Sequence, residues 1–183
     1  MSLNVKEFYK RGRILTQKRK KGKLYQFVIA SVFIAYVCIL LYLTVFERLY
    51  RVTVTGLFLE NYTLDGSLYF RYSVNLVPFK TISLYVNNPP NFHTAITNLA
   101  GNMIAFIPLG FLLPTVSKKI RNYKSILLIS AATSTAIELI QLLLRVGSTD
   151  IDDVILNAVG GLMGYFIFKS GMYISEYLIK KVE

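Results

Sequence analysis

Four long apolar runs limit what this chain can fold into: Leu24 to Phe46, Asn98 to Val116, Ser125 to Leu144, and Val154 to roughly Ile179. Each is close to the ~20 residues a helix needs to cross the hydrocarbon core of a bilayer. More than half of the 183 residues are apolar, and charged residues are fewer than in a typical soluble domain. The expected fold class is an all-α membrane protein with four transmembrane helices. Its first helix is expected to be retained, because the basic stretch before it is long, its own apolar run is too long for the h-region of a cleavable signal, and no small-residue cleavage site follows.

Charge sets the orientation. The net charge of +11 would suit nucleic-acid binding, but the basic residues sit at the edges of the apolar runs rather than on one separate surface. Nucleic acid is therefore excluded as a partner. A tail over residues 1–23 carries Lys6, Lys10, Arg11, Arg13, Lys18, Arg19, Lys20, Lys21 and Lys23. It reads as a solvated positive-inside signal in preference to an amphipathic surface helix. The loop Ser117 to Lys124 holds Lys118, Lys119, Arg121 and Lys124, and Lys180 and Lys181 stand near the end. Placing these in the cytoplasm gives four spans with both termini cytoplasmic. The expected domains are the basic cytoplasmic tail, 1–23, and a four-helix membrane domain, 24–183. Residues 51–97 and the acidic loop 145–153 are then expected on the extracytoplasmic side.

The 51–97 segment carries turn formers, Asp65-Gly66 and Asn87-Asn88-Pro89-Pro90, between β-branched and aromatic residues. It is too rich in Leu, Phe and Tyr to float free. It is expected to pack on the membrane surface or to re-enter the bilayer as one longer extracytoplasmic segment. Pro78 forbids an ordinary helix interior within it. Pro108 and Pro114 interrupt the second run, and a membrane helix tolerates them where neighbours satisfy the freed carbonyls. Gly160, Gly161 and Gly164 permit close helix packing in the fourth.

Polar residues inside such runs are the candidates for function. Asn98, Asn102, Glu138, Gln141, Asp152, Asp153 and Asn157 all fall toward the extracytoplasmic side in this topology. At ~1.5 Å rise per residue, Glu138 lies about 10 Å below the outer end of its helix. Asn98 and Asn102 are spaced i,i+4. Glu138, Gln141 and Arg145 share a face at i, i+3, i+7, and Asp153, Asn157, Gly160 and Gly164 form a similar stripe. With Asp150, these residues make the expected ligand-binding set: Asn98, Asn102, Glu138, Gln141, Arg145, Asp150, Asp152, Asp153 and Asn157. Each also has a plainer reading. The asparagines could cross-link helices. One of Asp152 and Asp153 could cap the fourth helix. Arg145 could complement the dipole of the third helix or pair with Glu138 two turns away. Glu138 is hardest to dismiss, because a carboxylate in hydrocarbon needs a partner. Cys38 and His93 are each alone, so an intramolecular disulfide, a cysteine metal site and a multi-histidine metal site are excluded, and any metal would have to be a hard cation held by Asp, Glu and Asn oxygens. No metal or cofactor is expected.

Several segments together resemble the VanZ-like family of bacterial membrane proteins. They are Asn75-Leu76-Val77-Pro78-Phe79, Asn98 through Pro114 with Asn102 and Phe106-Ile107-Pro108-Leu109-Gly110, Glu138-Leu-Ile-Gln141, and Asp150 through Asn157 followed by Gly160 and Gly164. The resemblance implies a multi-pass plasma-membrane protein acting at the cell envelope, connected with low-level resistance to the glycopeptide teicoplanin. The family pattern has an arginine close before the acidic loop; here Gly147 and Ser148 fill that approach and Arg145 stands earlier. The expected function is binding: an outer-leaflet polar pocket holding a lipid or peptidoglycan-precursor group. Expected partners are therefore membrane lipids or that precursor, with a homo-oligomer allowed. The alternatives are a membrane enzyme acting on lipid-linked phosphate or sugar, or a small transporter subunit. Against the enzyme stand the lack of a nucleophile with an adjacent base and of a phosphate-cradling glycine loop. Against the transporter stands the lack of an inverted repeat.

Overall fold

Four helices are long and apolar enough to cross a membrane: Gly22–Val54, Phe92–Val116, Tyr123–Leu143 and Ile151–Lys181. The computed structural model describes residues 5–54, 65–87 and 91–182. The first rod is α1 (Val5–Leu41), a wide π-helical turn (Tyr42–Phe46) and α2 (Glu47–Val54) in direct succession. After it come α3 (Gly66–Ser73), the two-residue strand β1 (Val74–Asn75) and α4 (Lys80–Asn87). The other spans are α5 (Phe92–Val116), α6 (Tyr123–Leu143) and α7 (Ile151–Val182), with the short strand β2 (Thr149–Asp150) before α7.

The runs are longer than hydropathy alone suggests, because polar residues cap or continue them. Helix runs from Val5, so the backbone of the basic tail is continuous with that of the first span. The rod also runs past Glu47 and Arg48 to Val54, so part of the expected 51–97 segment belongs to it. α5 starts at Phe92, six residues before Asn98, because the Asn91 side chain accepts the Thr94 N–H at 2.6 Å as an N-cap. α6 is opened two residues early by Asn122, which accepts the Ser125 N–H at 2.7 Å. α5 continues through both Pro108 and Pro114. Asp65-Gly66 opens α3 instead of forming an isolated turn. Residues 88–90 of the other turn cluster lie outside the described residues.

Consecutive spans are antiparallel. Tyr25, Lys118, Arg121 and Met172 gather at one end of the bundle, and Arg48, Gln141, Asp150 and Asp153 at the other. The closest pair is α5 against α7. A Cβ on Gly110 would fall 1.8 Å from the Gly161 carbonyl oxygen, and one on Gly164 1.9 Å from that of Ile107. Only glycine allows the two backbones to approach this closely, as small residues do at membrane helix contacts. Around this contact sit the buried side chains of Leu40, Val45, Phe106, Leu109, Leu113, Ile126, Ile137 and Tyr165. Tyr36 ties the first rod to α5, donating to the Ala105 carbonyl at 2.8 Å. Many large apolar side chains, among them Phe27, Ile34, Leu128 and Phe166, remain exposed. Such a surface suits contact with lipid tails and would be an aggregation hazard in water.

Candidate functional site

The acidic end is organised by two aspartates that hold a distant segment. Asp152 is fully buried. Its Oδ1 accepts the Phe79 N–H at 2.5 Å, and its Oδ2 accepts those of Thr81 and Ile82 at 2.7 and 3.0 Å. These are the orphan amides at the start of α4, so Asp152 caps a helix some seventy residues away in sequence. Phe79 takes a left-handed φ of 64°, which turns the chain after Pro78 and aims the three amides at one carboxylate. Asp150 completes the clamp. Its Oδ1 accepts from Asn75 Nδ2 at 3.1 Å and from the Asp152 N–H at 2.9 Å, and its Oδ2 accepts the Thr81 hydroxyl. β1 and β2 pair in parallel, Val74 with Thr149 and Asn75 with Asp150. The Asn75–Thr81 segment is thus a strap across the start of α7.

Beside the strap lies a second set of polar groups. Glu138, 4% exposed, accepts the Asp150 N–H on Oε2 at 3.2 Å. Gln141 donates to the Thr44 carbonyl at 2.7 Å and accepts from Arg48 Nη1 at 3.4 Å. Thr44 lies in the π-helical turn, whose altered hydrogen bonding accompanies this use of its carbonyl. Arg48 interacts electrostatically with both Glu138 and Asp153. Among the described residues it closes no ion pair within 4.0 Å. Asp153 is half-buried and accepts Asn102 Nδ2 at 2.5 Å.

The structure thus brings Asn102, Glu138, Gln141, Asp150, Asp152 and Asp153 to one end, and sets three expected members apart. Asn98 is exposed and donates to the Tyr85 hydroxyl at 2.6 Å. Asn157 is buried deeper, donating to Ser134 Oγ at 2.7 Å, and its Oδ1 has no partner among the described residues. Arg145 leaves the face of Glu138 and Gln141, because α6 ends at Leu143. Its amide bonds the Leu142 carbonyl, the Val146 amide bonds the Gln141 carbonyl, and Arg145 takes φ of 52°. That is a Schellman close, which swings the C′ residue off the helix face. The guanidinium instead lies 5.4 Å from the Tyr69 ring centre, so the Glu138–Arg145 pair is replaced by Glu138 facing Arg48. The cap of α7 is also reassigned, since Asp150 accepts the Asp152 amide whereas Asp152 caps α4.

Arg48, Asn75 and Thr81 are the site members that sequence reasoning passed over. Arg48 served only as a span boundary, although Thr44 and Arg48 at i,i+4 form a polar pair at the same depth as Gln141. The spacing Ser130, Ser134, Glu138 is a similar stripe; all three are buried. Among the described residues, no three His, Cys, Asp or Glu side chains form a group that could hold a metal ion.

Four membrane-length helices, a carboxylate-clamped strap and an arginine among buried acids define a multi-pass membrane protein with a polar site at one end of its bundle. Charges among membrane-length helices make this end the candidate functional site. The VanZ/LLP1 family model matches residues 33–174. The chain is also similar to Protein VanZ of Enterococcus faecium, at 34% identity over 123 residues, 66% of this chain and 69% of that protein. No solved structure matches it significantly. The chain belongs to the VanZ/LLP1 family.

Proposed function

We propose that the acidic end faces the outside of the bacterial plasma membrane and binds an envelope group there: a lipid headgroup or the peptide-bearing part of a peptidoglycan precursor. The observation that carries this reading is Arg48 set near Glu138 and Asp153 without a closed pair among the described residues. A half-buried cation held apart from one buried and one half-buried carboxylate keeps unsatisfied capacity, and a ligand bearing both an ammonium or amide donor and a carboxylate would satisfy it. Asp150 and Asp152 are structural in this reading, since amides and a hydroxyl occupy their oxygens. Arg48, Asn102, Glu138, Gln141 and Asp153 meet the ligand. Family membership supports an envelope role, and the family's connection with teicoplanin points to lowered susceptibility to glycopeptides and lipoglycopeptides, through occupancy of the group the antibiotic would reach.

The test is Glu138→Gln and Arg48→Gln in cells exposed to teicoplanin, with membrane abundance measured in parallel. Both variants are expected to insert at normal levels and to lose protection. Normal protection in both would overturn the binding reading. Lipid-resolved native mass spectrometry of wild type against Asp153→Asn identifies the ligand: an envelope lipid retained by the first and lost by the second is the expected outcome.

A further inference from the structure

The opposite, basic end of the bundle contains a separate cavity of about 760 Å³ between the start of the first span, the α5–α6 loop and the second half of α7. That volume falls in the ~300–1,000 Å³ range of small-molecule sites. Its rim carries Lys118, Lys119 and Arg121, with Gln26 and Ser117 beside them, and no acidic residue lines it among the described residues. Arg121 is held in place. Its Nε donates to the Pro114 carbonyl at 3.2 Å, its carbonyl accepts the Tyr165 hydroxyl at 3.0 Å, and its guanidinium lies 5.8 Å from the Phe168 ring centre. The two Nη groups have no hydrogen-bond partner among the described residues. They are a preset fork for a phosphate.

The cavity continues into a second groove of about 370 Å³, sharing Tyr25, Thr115, Phe168 and Met172 with it. The groove's other walls include Ile29, Phe111, Leu112 and Gly171. A Cβ on Gly171 would meet nothing within 4 Å, so the groove is open along α7 at that point. A cationic chamber leading into an apolar channel between membrane helices has the polarity of one class of molecule: a phosphate head joined to a hydrocarbon chain.

We propose that this end binds one anionic phospholipid, its phosphate between Arg121, Lys118 and Lys119 and one acyl chain along the groove beside Gly171. The positive-inside rule places this lipid in the cytoplasmic leaflet, across the membrane from the polar site. The geometry goes beyond general attraction of basic loops to anionic lipid. It asks for an arginine fixed against Phe168 and for an unfilled channel below it. The bound lipid would pin the first span to α5 and α7 at the basic end.

The test uses the purified full chain in neutral detergent, with lipid retention read by native mass spectrometry and thermal stability read by light scattering. Phosphatidylglycerol, phosphatidylcholine and inorganic phosphate are the three probes. Wild type is expected to retain phosphatidylglycerol at least tenfold better than phosphatidylcholine and to gain stability from it, with inorganic phosphate giving no such gain. Lys118→Gln/Lys119→Gln, both on the exposed rim, is expected to reduce that preference several-fold. Arg121→Gln is expected to remove most of it. Gly171→Leu, which fills the groove and leaves every charge in place, is expected to weaken phosphatidylglycerol retention. Equal retention of the two lipids by wild type overturns the proposal. So does unchanged phosphatidylglycerol retention in the Lys118/Lys119 and Gly171 variants. Stabilisation by inorganic phosphate equal to that by phosphatidylglycerol would overturn the lipid assignment and leave only an anion site.

Discussion

Replacing Asp152 by asparagine should undock the strap while leaving the four spans intact. The carboxylate accepts three backbone amides, two on Oδ2 and one on Oδ1. An amide keeps a single acceptor oxygen. Turned toward Thr81 and Ile82, it retains two bonds, each weakened by loss of the charge, and points its NH₂ at the Phe79 N–H, donor against donor. A hydrogen bond to a charged group contributes about 1.5–3 kcal/mol and a neutral one about 0.5–1.5. Losing one and weakening two therefore costs at least about 3 kcal/mol of docking free energy, a hundredfold or more in the docked-to-undocked ratio. Hydrogen exchange of the purified chain in lipid nanodiscs, read by mass spectrometry, reports this locally. The amides of Phe79, Thr81 and Ile82 should exchange at least about a hundredfold faster in Asp152→Asn, while those of α5 and α7 stay protected. Asp153→Asn is the comparator: its contact is Asn102, not the strap, so those three amides should behave as in wild type. Unchanged protection at Phe79, Thr81 and Ile82 in Asp152→Asn would refute the trans-cap assignment.

Gly110→Ala should lower the unfolding temperature and Gly101→Ala should not. The first Cβ meets a backbone carbonyl at 1.8 Å and the second meets nothing within 4 Å. Overpacking of this kind costs about 1–3 kcal/mol, measurable by thermal or denaturant unfolding in detergent. Gln141→Leu removes the only side-chain donor described for the Thr44 carbonyl and the Arg48 acceptor together. A loss of about 1–3 kcal/mol is expected, and a double-mutant cycle with Arg48→Gln should give a non-zero coupling.

The four spans were legible because ~20 apolar residues in a row leave a chain few alternatives. Their ends were not, because caps are single residues: Asn91 and Asn122 read as loop polarity until each is seen to accept an amide three residues ahead. Glu138, Gln141 and the aspartates stood out against apolar neighbours, and the structure gathers them at one end. Arg145 followed the helical phase that put it with Glu138 only as long as α6 continued, and a Schellman close has no strong signal when an arginine instead of a glycine takes the left-handed position. Arg48 was hidden by its position at a span boundary, where a basic residue is expected for topological reasons alone. The strap was the least legible element. Its anchoring bonds join Asn75, Phe79 and Thr81 to Asp150 and Asp152, and nothing local in either segment encodes that pairing.

The outward orientation of the polar end underlies the proposed function, and cysteine accessibility measures it directly. In a Cys38→Ala background, Asn98→Cys and Lys119→Cys each place one thiol at an exposed position, one at the acidic end and one at the basic end. With a membrane-impermeant maleimide on intact cells, Asn98→Cys should react at once and Lys119→Cys only after permeabilisation. Labelling of Lys119→Cys from outside, with Asn98→Cys protected until the membrane is opened, would contradict it.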